Sequence, residues 1–90
     1  MTKFEKGSFC KSTAGRDIGT IYIIVENISC IKVADGRYKT IESPKLKNPK
    51  HLERIDYKDE TLAEKFFTGR LKNEDIKYSI KNYLINTSSK

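Results

Sequence analysis

Few residues in this chain can do chemistry, and their types narrow what that chemistry is. The single histidine, His51, makes a poor catalyst or ligand on its own, and the two cysteines, Cys10 and Cys30, with that histidine fall short of a four-ligand zinc set. No glycine-rich phosphate loop is present, and several of the carboxylates cluster at helix starts, where capping accounts for them. A nucleophile with its base, a carboxylate pair in a cleft and a metal set are all missing from the pattern, so it predicts no enzyme, no metal and no cofactor. What remains is basic. A Gly15-Arg16-Asp17-Ile18-Gly19 loop carries Arg16, with Lys11 close by in sequence, and Arg37, Lys39, Lys45, Lys47 and Lys50 crowd the segment Arg37 to His51 against Glu42 as its only acid. Guanidinium and ammonium groups in that density suit phosphate, Arg16 by a two-pronged fork and the lysines as point charges, while Asn48 and His51 can hydrogen-bond sugar hydroxyls or base edges.

The whole chain has 90 residues and a formal net charge of +6. Residues 1–52 hold 10 Lys and Arg against 5 Asp and Glu, whereas residues 53–90 hold 8 against 7, so the excess is localised. Localised basicity favours a polyanion partner, since each phosphate neutralised releases condensed counterions. A solvated lysine-rich face is the plainer alternative. The longest apolar run, Ile21 to Val25, is far short of the roughly 20 residues that cross a bilayer. No apolar signal region follows the first lysine, which predicts a cytoplasmic protein with reduced cysteines and no membrane partner.

These residues need elements to position them. Gly7 to Ser12 reads as a short strand, and Thr20 to Glu26 as a second with Ile21, Ile23 and Val25 on one face and Tyr22 and Ile24 on the other, buried on both sides. Ile28 to Ala34 forms a third strand. Asp35-Gly36 is the strongest hairpin signal, so Arg37 to Ile41 is expected to pair back across it, with Arg37 and Lys39 on one face. Pro44 and Pro49 exclude a helix between them and predict an extended strap whose lysines face solvent or a partner. His51 to Ile55 is the last strand.

The period then changes. Asp59 caps a helix over Glu60–Thr68 closed by Gly69, with Leu62 and Phe66 on one face and Phe67 also in the core. Asn73 opens a clearer helix with Glu74 and Asp75 in its first turn and a stripe of Ile76, Ile80, Tyr83 and Leu84. Asn86 to Lys90 is a fraying polar tail. The reading is therefore mainly β: a small antiparallel barrel or curled sheet over residues 1–56, with one or two short helices over 57–90 packed on the same single domain.

The stretch GSFCKSTAGRDIGTIYIIVE, followed by IKVADGRYKTI and PKLKNPKHL, resembles the KOW motif of small bacterial RNA-binding proteins related to certain archaeal and eukaryotic large-subunit ribosomal proteins. The resemblance spans about Gly7 to Leu52. It departs after Gly19, where many KOW motifs keep a small residue and this chain has Thr20, Ile21 and Tyr22. What it implies is an SH3-like barrel, a KOW domain, that binds structured RNA, ribosomal RNA above all, in association with the ribosome and translation. The expected RNA contacts are Lys11, Arg16, Arg37, Lys39, Lys45, Lys47, Asn48, Lys50 and His51, on a monomer. Asp17 is expected to order its loop or pair with Arg16. Two other readings compete. An SH3-like protein–protein interaction module would use an aromatic groove and a protein partner. A helix-turn-helix over Glu60–Ile85 would bring Glu74 and Asp75 toward DNA phosphates, which is the wrong charge sign.

Overall fold

The computed structural model describes residues 4–57 and 59–88. Ser89 and Lys90, the end of the expected tail, and residues 1–3 lie outside the described residues. The strands are β1 (Phe9–Ser12), β2 (Ile21–Glu26), β3 (Ile31–Ala34), β4 (Lys45–Lys47) and β5 (Leu52–Ile55); a turn of 3-10 helix, Pro49–His51, precedes β5, and α1 (Glu60–Thr68) and α2 (Asn73–Ser88) follow. All pairings are antiparallel, and the sheet order is β4-β3-β2-β1-β5.

Alternation along β1, β2 and β3 sends apolar residues to both faces. Cys10, Tyr22, Ile24, Ile31, Val33 and Leu52 form one cluster with Phe4, and Phe9, Ile21, Ile23 and Ala34 form another with Leu62 and Ile76 of the helices. The first cluster joins β3 to β5 although two strands separate them in the sheet, which requires the sheet to roll. Chain length requires it too. Laid flat, β4 and β5 would stand about 19 Å apart, four interstrand spacings. The five residue-to-residue steps from Lys47 to Leu52 reach about 18 Å at full extension, and three of the residues between are wound into a 3-10 turn. The first cluster is thus the concave core, and the helices cover the convex side.

Helix boundaries follow the caps. Asp59 Oδ1 accepts from Leu62 N at 3.2 Å, and Gly69, at φ 71°, closes α1 in the left-handed region. The second Asp59 oxygen accepts from Ser79 Oγ, tying that cap to α2. Phe9, Tyr57 and Tyr83 pack ring to ring, with centroids 5.0 to 5.6 Å apart, and bind β1 to α2.

Four expectations are corrected. Arg37 to Ile41 is not a strand: Asp35 Oδ1 collects the N–H groups of Arg37, Tyr38 and Lys39 at 2.9 to 3.0 Å, which turns that backbone away from any ladder. The partner of β3 is β4, inside the proline-bracketed strap, with Val33 opposite Lys45 and Ile31 opposite Lys47. Phe67 is 91% exposed because it lies on the outer side of α1, opposite the face carrying Leu62 and Phe66. The stripe of α2 is buried at Ile76 but opens to solvent at Leu84, and α2 stays helical through Ser88 where a fraying tail was expected.

Candidate nucleic-acid interface

The β1–β2 loop follows Ser12, and its two glycines take positive φ, Gly15 at 89° and Gly19 at 90°. That geometry folds Asp17 back under the loop. Each carboxylate oxygen of Asp17 accepts from two side chains. Oδ1 takes Ser12 Oγ at 2.8 Å and Lys47 Nζ at 3.1 Å, while Oδ2 takes Tyr22 OH at 2.7 Å and Lys45 Nζ at 2.8 Å. Lys47 Nζ also donates to Ala14 O at 3.3 Å. Burial alone would raise the carboxyl's pKa, but the four donors outweigh it and hold Asp17 far below the usual carboxylate range. Burial first, then the Asp17 carboxylate, push the Tyr22 phenol well up, so it stays a donor.

This cluster re-assigns two expected contacts. Lys47 is only 8% exposed and Lys45 is half-buried, and both ammonium groups are spent on Asp17 instead of facing solvent. The cause is the two-residue repeat of β4: Lys45 and Lys47 share the inward face, and Leu46 is turned out. Asp17 pairs with these two lysines, and no ion pair joins it to Arg16. Ser12, Tyr22 and Asp17 were not among the expected site residues. The one local sign of their connection is the K-L-K pattern between two prolines, which places charge where a strand facing a core wants an apolar residue.

The other expected residues are exposed to differing degrees. Arg16, Arg37, Asn48, Lys50 and His51 are exposed, and Lys11 and Lys39 are half-buried. Lys11 lies on the face of β1 that Phe9 takes, opposite Glu53 in the ladder. Asn48 caps the 3-10 turn by accepting from Lys50 N at 2.9 Å, and His51 O accepts from Thr13 N at 2.9 Å. The turn carrying Lys50 and His51 is thereby fastened to the loop carrying Arg16. Arg37 and Lys39 sit in the β3–β4 loop, at the same end of the antiparallel meander as the β1–β2 loop. Arg37 Cζ lies 5.3 Å from the centroid of the exposed Tyr38 ring.

The β3–β4 loop is clamped to the start of α2. Asn73 Oδ1 accepts from Ile41 N at 2.8 Å, and Asn73 Nδ2 donates to Glu42 Oε1 at 2.9 Å. That amide, with the Glu42 backbone, draws the Glu42 pKa down. Gly36, at φ 79°, lies so close to Asn73 O and Lys77 that no side chain fits there.

Among the described residues, ion pairs occupy Lys32, Lys45, Lys47 and Lys65, and none draws on Arg16, Arg37, Lys39 or Lys50. No group of three His, Cys, Asp or Glu side chains among the described residues is placed to hold a metal ion, and none of their helices is long and apolar enough to cross a membrane. The chain matches no protein-family model and no curated protein.

Proposed function

We propose that the protein binds folded RNA, ribosomal RNA above all, through a KOW-type, SH3-like barrel. The observation that carries this reading is that Arg16, Arg37, Lys39 and Lys50, four of the cations outside the ion pairs of the described residues, stand on loops fastened to a rolled five-stranded sheet. The ordered motifs of the first 52 residues, which resemble a KOW domain, support it. Phosphate attraction dominates such binding, and 14 lysines against 4 arginines suit positioning by point charge more than base reading, so sequence specificity is modest.

The test is ribosome co-sedimentation together with a salt titration of binding to a ribosomal RNA hairpin. Arg16→Ala with Lys50→Ala should weaken binding across RNA sequences and flatten the slope of log affinity against log salt by about 0.9 for each phosphate no longer neutralised. An unchanged slope rejects this surface. Lys45 and Lys47 are unsuitable probes, because replacing them undoes the Asp17 cluster.

One observation favours a protein-interaction module instead. Ile28 and Leu46, 85% and 63% exposed, line a groove with Cys30 and Pro49 beside the β4 edge. Recovery from cells with a protein partner and without RNA would favour that reading.

A further inference from the structure

A groove of 750 Å³ runs between α2 and the β3–β4 loop, with the end of the β1–β2 loop as its third wall. Ile80 and Ile21 supply apolar lining, Arg37, Lys77 and Lys81 supply cations, and Tyr38 stands at the rim with 77% of its surface exposed. The one acid in the lining, Asp35, has an oxygen taken up by three backbone N–H groups. No ion pair among the described residues draws on Arg37, Lys77 or Lys81.

We propose that this groove binds an unpaired stretch of nucleic acid, with a base stacked on Tyr38 and its flanking phosphates on Lys77, Lys81 and Arg37. The proposal rests on the RNA-binding reading and adds to it a second kind of contact, to single strand instead of duplex. Three features favour that occupant. An exposed tyrosine beside a guanidinium offers a flat, electron-rich ring of the kind that holds bases in single-strand binders. The cations line a concave apolar wall, a combination that fits a nucleotide's base and phosphate together, whereas duplex RNA presents phosphates on a convex surface. The site is also preformed: Asp35 fixes the backbone of Tyr38, and Asn73 fixes the loop to α2, so little ordering accompanies binding.

The test compares two fluorescein-labelled RNAs by anisotropy, an unstructured oligouridylate of about ten nucleotides and a closed hairpin, against the folded full chain. Tyr38→Ala should weaken oligouridylate binding on the order of tenfold and leave the hairpin within about twofold, while Tyr38→Phe retains both. Lys77→Ala with Lys81→Ala should weaken the oligouridylate and reduce its salt slope. Because Tyr38 is exposed, its removal leaves the core intact, which an unchanged thermal melt verifies. Hairpin binding without oligouridylate binding overturns the groove and leaves the RNA reading standing. Failure of both RNAs overturns both. Displacement of the oligouridylate by polyglutamate, with no effect of Tyr38→Ala, overturns the stacking interaction and assigns the groove to acidic peptides.

Discussion

Asp17 shows how one carboxylate decides which cations are free. With two donors on each oxygen and 14% of its side chain exposed, it takes two of the lysines in the basic segment out of circulation. Removing its charge would strand Lys47, which is 8% exposed. Asp17→Asn should therefore cost about 3–5 kcal/mol, a large part of the roughly 5–15 kcal/mol that a small domain has. Lys47→Met should cost much less, because Lys45 and Tyr22 still serve the carboxylate. Urea unfolding of both variants checks the order, and an equal cost would show that Lys45 and Tyr22 do not compensate the carboxylate for the loss of Lys47. The pH dependence has a definite sign. The folded-state pKa of Asp17 is depressed below the ordinary value of 3.8, so its contribution is fully present above about pH 4 and is lost as pH falls. Asp75 acts in the same direction, held down by Lys65 and then by the Lys72 N–H. Asp17→Asn should therefore flatten the loss of stability as pH falls below about 4, without abolishing it, and leave the profile between neutral pH and that point little changed.

At the scale of elements, the part of the fold readable from the chain is the part fixed by neighbours in sequence. The double-faced pattern of β2, the Asp59 and Gly69 caps of α1 and the opening of α2 at Asn73 all follow from residues within a turn or two. The strand β4 does not, since Lys45 and Lys47 meet their counter-charge 28 and 30 residues earlier and the local K-L-K pattern does not say where it lies. The Asp35-Gly36 signal is true as a turn and misleading as a hairpin, because a side-chain carboxylate captures the N–H groups that a returning strand would have used. The candidate site divides the same way. Arg16, Arg37 and Lys50 stand exposed as their types suggest, whereas the fates of Lys45 and Lys47 depend on Asp17. Gly36 gives the clearest test of the loop's seat on α2. Gly36→Ala meets both positive-φ strain and the Asn73 carbonyl, while Gly19→Ala, at φ 90° with nothing within 4 Å, meets strain alone. Gly19→Ala should lower stability by about 1–3 kcal/mol, and Gly36→Ala by more. Equal shifts in melting temperature would show that the seat is loose.

Over the whole molecule, the radius of gyration of 12.1 Å matches the roughly 12 Å expected of a single compact body this long. The convex core mixes strand and helix side chains, so the C-terminal helices serve as one wall of the same interior. At the centre lies Cys10, fully buried in a strand paired on both sides, its Sγ 3.7 Å from Tyr22 O. Burial pushes its thiol up to about 12, with Lys47 pulling the other way. A reagent that attacks thiolates has no route to Cys10 unless β1 parts from β2 and β5 together, which dismantles both cores. In a Cys30→Ser background, the rate of Cys10 alkylation should thus equal the unfolded fraction multiplied by the rate for a free thiol. Asp17→Asn should raise it on the order of a hundredfold or more, in proportion to the drop in stability. A rate insensitive to Asp17→Asn would mean that a partial opening reaches the thiol. The concave core thus holds a covalent clock, in which a single buried sulfur records how often the entire chain comes apart.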